Sequence, residues 1–219
     1  ESPIDFEFRR QQSVALNAAG SLPALFARVF NVDDVIDAYC TENVLSVPLD
    51  IGGVTLAPHS VWVCVSGGAA DDIAQAIWVK KSLGCNYNGA NTATVYDTEG
   101  YEIPYPEYTV SWETATPTPV LFALSIADSP YLPADAVALI KAAIIDSFSG
   151  GDNGPAARIG GALYASRFYG PVLAVATAGT VIQILSLKLG LVTATLDAIT
   201  MDIDKKPTIT ASDITITLV

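Results

Sequence analysis

Basic residues are scarce in this chain: eleven lysines and arginines face twenty-three aspartates and glutamates, a formal charge of −12. A surface of that sign repels nucleic-acid phosphates and anionic lipid, and no basic cluster offsets it, so neither is an expected partner. His59 is the one histidine, so the usual general base near neutral pH is all but missing. It sits in Ala57-Pro-His-Ser60 at a strand entrance and reads as a polar loop residue. Cys40, Cys64 and Cys85 form no C-x-x-C pair and no zinc-type spacing with a histidine. An odd count is a poor disulfide framework and fits a reducing compartment; Cys40 and Cys64, in strand-like runs, read as buried inert thiols. Charge of either sign is thin, at 16% against 51% hydrophobic residues, which excludes a disordered tail. The uncharged run Phe168–Leu187 is interrupted by Gly170-Pro171, Gly179 and Gln183 and is rich in β-branched residues. It is expected to form two buried strands and not a membrane span. The opening Glu1-Ser-Pro-Ile-Asp, with neither methionine nor apolar leader, reads as a piece of a longer chain.

What is present is a succession of helical and strand patterns. Two N-terminal helices are expected, the second capped by Ser21 with Leu22, Leu25, Phe26, Val29 and Phe30 on one face. Strand-like runs follow at Val35–Ser46 and Val54–Ser66, the latter split by Pro58, then near Thr92–Asp97 and Tyr108–Trp112. Four prolines between Pro104 and Pro119 mark the best boundary, giving domains 1–116 and 117–219. The second half restarts with a strand at Val120–Ala127 and a helix opened by Pro133 with Asp135 in its first turn. Another helix is expected at Ala156–Tyr169, and the last fifty residues read as strands, ending in ITASDITITLV. The order predicts an α+β fold: two small α/β sandwich domains, each a mixed or antiparallel sheet covered by helices.

One stretch invites a nucleotide-binding reading. Val61–Trp78, VWVCVSGGAADDIAQAIW, runs from strand through glycines into a helix. A Walker loop would need lysine and a hydroxyl after the last glycine, and a dinucleotide fingerprint would need three glycines. Asp71 and Asp72 stand there instead, where they complement the helix dipole and repel phosphate. Ala70, Ile73, Ala74, Ile77 and Trp78 form a continuous apolar face, Lys80 and Lys81 fall in the last turn, and Gly84 can stop the helix. The turn is architectural, and no cofactor is expected.

Other acids offer little chemistry. Asp33-Asp34 flanks a strand, and Asp202-x-Asp204 alternates with Met201 and Ile203 as on the wet side of a strand. That leaves only a weak divalent-cation site as a functional reading there. A hydrolase would need two carboxyls facing each other across a cleft, about 5–10 Å apart. Surplus apolar surface is more suggestive. The Ala134–Phe148 helix has a core face of Val137, Ile140, Ile144 and Phe148, yet Ala138, Ala142 and Ile145 make it apolar nearly all round. Tyr101, Tyr105, Tyr108 and Trp112 cluster within twelve positions and are of the types that anchor interfaces. These seven residues are the candidate contact surface.

From Ala57 to Asp97, APHSVWVCVSGGAADDIAQAIWVKKSLGCNYNGANTATVYD, the chain resembles the baseplate J-like proteins of contractile-tailed bacteriophages of the Mu and P2 type. The shared features are P-H-S before a V-W-V strand, S-G-G, D-I-A-Q-A-I-W, and a G-C-x-Y-x-G loop leading to T-V-x-D. Pro119-Val-Leu-Phe122 and Ser212-Asp-Ile-Thr-Ile-Thr-Leu218 are similar to later parts of that family, and only the first thirty residues match loosely. The resemblance implies a structural subunit of the tail baseplate, made in the bacterial cytoplasm, without catalytic residues. Its implied partners are other baseplate proteins and copies of itself. The alternative expectation is a module binding host-surface glycan through the aromatic cluster and the Asn86–Asn91 loop.

Overall fold

A computed structural model describes residues 2–13 and 18–219 and shows an α+β protein. The chain forms two compact units that divide between Thr116 and Pro117. Residues 202–206 belong with the N-terminal unit, however, and the first seven residues with the C-terminal one. Long-range contacts that no local pattern encodes set these exchanges. In the C-terminal unit Asp5 takes a hydrogen bond from Arg158 at 2.8 Å. Burial opposes ionisation of Asp5, but hydrogen bonds from Arg158 and Ser2 outweigh it and hold the carboxyl below its usual range. In the N-terminal unit the Ile203 N–H donates to the Gly52 carbonyl at 3.0 Å. There, too, Lys206 reaches the buried Asp37 at 2.9 Å.

Helices α1 (Pro3–Ser13) and α2 (Leu22–Phe30) open the chain. Ser21 caps α2 by accepting the Ala24 N–H at 3.4 Å, while Leu25 and Val29 are buried and Leu22, Phe26 and Phe30 partly so. Strands β1 (Val35–Asn43), β2 (Leu49–Ile51), β3 (Val54–Leu56) and β4 (Ser60–Gly67) lead to α3 (Ala70–Lys80). Then come β5 (Asn86–Asn88), β6 (Asn91–Tyr96) and β7 (Glu107–Thr114). The order β1-β4-β7-β6, with β5 beside β4, makes a mixed sheet, since β4 runs parallel to β5 and β7 and antiparallel to β1. Central β4 is buried on both faces from Ser60 to Val65. Leu25, Val29, Ile73 and Ile77 of α2 and α3 close one face over Val61, Val63, Val65, Val95 and Val110.

The glycine turn between β4 and α3 has a steric cause. Gly67 and Gly68 hold φ of +84° and +82°, and a Cβ on Gly67 would lie 2.2 Å from the Asp34 carbonyl oxygen. A Cβ on Gly68 would press Val35 Cγ2 at 2.6 Å. The chain thus passes close over the start of β1, and the turn is packed with the protein's own backbone. Beyond it, Ile73, Ala74 and Ile77 are buried as expected, but Ala70 is exposed in the first turn and Ala76 takes part in the core. Gly84 does not end α3: Lys81 leaves the helical region (ψ 143°) three residues earlier, its N–H still bonded to the Ile77 carbonyl.

The remainder comprises β8 (Thr116–Pro119), β9 (Leu121–Ile126), α4 (Ala136–Phe148), β10 (Ala162–Tyr164), α5 (Tyr169–Ala174), β11 (Ile184–Gly190), β12 (Ala198–Thr200), β13 (Lys205–Thr208) and β14 (Ile214–Leu218). The C-terminal unit is built on the sheet β11-β9-β14, antiparallel on one side of β9 and parallel on the other. Strand β9 alternates, burying Phe122, Leu124 and Ile126 against Ile140, Ile144 and Phe148 of α4. Phe122 meets Phe148 and Phe168 edge-on, with ring centroids 6.3 and 4.9 Å apart.

Three expectations are corrected, two in this unit and one, for Asp202 and Asp204, in the N-terminal unit. Ala156–Tyr169 is not a helix. Leu163 pairs with Ile199 in a two-stranded ladder, and the Ala165 N–H reaches the Asp197 carbonyl at 2.8 Å, so distant pairing outweighs local helical composition. Phe168–Leu187 does not form two strands, because Phe168 and Val172, one helical turn apart, both plug the core through a 3-10 turn and α5. Asp202 and Asp204 lie in a turn and not on a strand, although Met201 and Ile203 are buried as their alternation suggested.

Two stability outcomes follow. Gly67→Ala should cost at least about 2 kcal/mol in urea unfolding, since the added methyl meets a carbonyl in a left-handed backbone. Lys206→Met should cost roughly 3 kcal/mol by leaving the buried Asp37 charge without its ammonium, measured the same way.

Candidate functional site

Helix α3 turns its apolar face into the sheet, and Trp78 stands at the margin of that face, half-buried. Across β6 and β7, Tyr108 opposes Val95, a buried core residue, and so stands on the helix-covered side. The two rings meet with centroids 5.6 Å apart at 38°. Tyr96 ends β6, and the following turn is tied by the Glu99 N–H donating to Asp97 Oδ1 at 3.1 Å and by the Asp97 N–H donating to the Pro106 carbonyl at 2.9 Å. These residues, with Gln75, Val79, Lys81, Leu83 and Thr98, line a cleft of about 550 Å³. That volume is in the range of small-ligand and side-chain pockets. Its lining includes three aromatic residues and two acidic ones. Its one ammonium, Lys81, lies 4.0 Å over the Tyr87 ring.

Of the aromatic residues expected to form a contact surface, Tyr108 lines this cleft and is 42% exposed; Tyr101 is exposed and Tyr105 half-buried in the loop beyond it. Trp112 is corrected. It is 4% exposed and packs in the unit's own core, because on β7 it shares the helix-covered face with Val110. Trp78, Tyr96, Asp97 and Glu99 went unread as a group; 18 or more positions separate Trp78 from the others, and only the packing of α3 over the β6–β7 ladder joins them.

In the C-terminal unit, α4 buries Ala136, Ile140, Ile144, Ser147 and Phe148. Val137, expected in the core, is instead 40% exposed: it shares the stripe of Ile144 and Phe148 but stands in the first turn of the helix. Ala138 and Ala142 are exposed with it, as is Leu139, whereas Ile145 is half-buried against the core. The outward side of α4 therefore leaves apolar side chains exposed at Ala138, Leu139 and Ala142.

Other chemistry-bearing groups stay apart or satisfied. Cys40, Cys64 and Cys85 are free thiols. Burial, and then the carboxylates of Glu113, Asp204 and Asp37, push Cys64 up to about 12, so it stays protonated and unreactive. His59 is exposed in a left-handed turn (φ 47°). Asp33, Asp34, Asp71 and Asp72 are exposed, and Asp204 pairs with Lys205 at 2.9 Å. Among the described residues no group of three histidines, cysteines or acids is placed to hold a metal, and no helix is long and apolar enough to cross a membrane. A smaller cavity of about 110 Å³ beside α4 is lined by Ser147, Phe148, Arg167 and Phe168. There Arg167 donates both terminal nitrogens to Asp152, which holds that carboxyl down to about 2 against a smaller opposing effect of burial.

No protein-family model matches the chain, and none of the curated proteins compared with it matches.

The Asp152–Arg167 pair predicts an acid-sensitive stability. Because the folded carboxyl is depressed, its stabilisation is complete above the unfolded value and is lost as pH falls from about 4 towards 2. Asp152→Asn should cost on the order of 1–2 kcal/mol at pH 7 and little at pH 2, in urea melts across that range.

Proposed function

We propose that the chain is a structural subunit of a contractile bacteriophage tail baseplate, of the baseplate J-like kind, working by protein–protein assembly and not by catalysis. The observation that carries this reading is the exposed apolar surface of α4 at Ala138, Leu139 and Ala142, on a helix whose other side already fills a core. An apolar surface of this kind is a contact surface awaiting a partner. The ordered Ala57–Asp97 pattern supports the family, and copies of the same chain with other baseplate proteins are the partners it implies. The chain would act in the virion tail baseplate after synthesis in the bacterial cytoplasm.

Light scattering and cross-linking of the chain, alone and mixed with purified tail proteins, should show defined complexes, each stable contact burying over about 1,200 Å². Ala142→Glu should weaken that association by about tenfold or more while the melting temperature holds, because residue 142 faces outward. A chain that stays monomeric with every tail component would sink the reading.

A further inference from the structure

The cleft between α3 and the β6–β7 hairpin has the chemistry of a receptor for a cation. We propose that it seats an arginine or lysine side chain of a basic segment on a partner protein. This rests on the assembly reading above and deepens it by stating the partner's chemistry.

Three observations converge. Trp78 and Tyr108 meet at one cavity that Tyr96 also lines, and aromatic ring faces carry the negative quadrupole that attracts cations. Asp97 and Glu99 stand on the same wall, and neither belongs to any ion pair among the described residues. The backbone also holds them there, since the Glu99 N–H bonds back to Asp97, so the second carboxylate is not on a free-swinging loop. Lys81, the one ammonium on the wall, is turned over Tyr87 and engaged there. The cleft therefore offers two carboxylates outside any ion pair against the single ammonium of Lys81, an acidic excess on a protein whose formal charge of −12 already raises the local concentration of cations.

Size argues for a side chain on a segment over a free ion. A volume of about 550 Å³ exceeds what one ammonium fills, and the rim carries the exposed apolar side chains of Val79 and Leu83. An arginine or lysine flanked by apolar residues suits both parts: its head between rings and carboxylates, its neighbours on the rim. A neutral sugar could stack on the rings, but the acidic excess favours a cation over it.

The test uses the full chain and the peptide Leu-Arg-Leu-Arg-Leu, its counterpart with glutamine in place of arginine, and chitohexaose, followed by NMR titration. The arginine peptide should shift the Trp78 indole and the Tyr96, Asp97, Glu99 and Tyr108 signals, and the glutamine peptide should not. Asp97→Asn with Glu99→Gln should weaken binding by about tenfold. Asp71→Asn with Asp72→Asn, an equal loss of charge at the other end of α3, should leave it within about twofold. Trp78→Phe, chosen to keep the packing, should weaken it less than Trp78→Ala. Equal weakening by the two acid pairs would mean general attraction to an acidic surface and would overturn the proposal. So would chitohexaose or the glutamine peptide binding as well as the arginine peptide, or shifts that bypass Trp78. Failure here leaves the assembly test untouched if complexes still form. A chain that binds the peptide at the cleft yet never assembles would instead count against the assembly reading alone.

Discussion

The Asp34 carbonyl oxygen lies so near Gly67 that a side-chain carbon there would sit 2.2 Å from it, and the geometry of the N-terminal unit depends on that approach. Two successive left-handed residues turn the end of β4 over the start of β1, which aims α3 back across the sheet. With the turn filled by backbone and Val35, nothing larger than a hydrogen fits at position 67. The first helical turn then carries Asp71 and Asp72, which complement the helix dipole where a phosphate would otherwise be drawn. A strand–glycine–helix sequence can thus serve packing alone.

The direction of α3 has consequences at its far end. Once Ile73 and Ile77 are seated on Val63, Val65 and Val110, Trp78 has only the margin of the sheet to lean on, and it finds Tyr108. The cleft is the space left where a helix margin and a hairpin turn diverge. Its charge comes from the hairpin loop, whose Asp97 is used to close a turn and whose Glu99 is carried with it. Buried glycine geometry and exposed aromatic chemistry are linked through one rigid helix.

The C-terminal unit shows the same economy with a different centre. Phe122 on β9 gathers Phe148 from α4 and Phe168 from a 3-10 turn, so one ring ties three elements separated by up to 46 positions. Seating Phe148, Ile144 and Ile140 sets the rotation of α4, and that rotation sends Ala138, Leu139 and Ala142 outward. The exposed strip is a by-product of core packing on a helix whose composition is apolar on both sides.

Local pattern was enough for the fold class, the Ser21 cap and the split at Pro58. Each rests on interactions within a few residues: dihedral limits of glycine and proline, a capping hydroxyl, or a period of 2 or 3.6. The tertiary structure alone decided the rest. Residues 162–164 became a strand because residues 198–200 were there to pair with them, and Trp112 went into the core while Trp78 came to the cleft. Helix α4 turned Val137 outward although its spacing suited the core equally well. A site assembled from residues 75–83 and 96–108 exists only once a helix has been laid over a hairpin, since periodicity states which face is apolar but not what that face will meet.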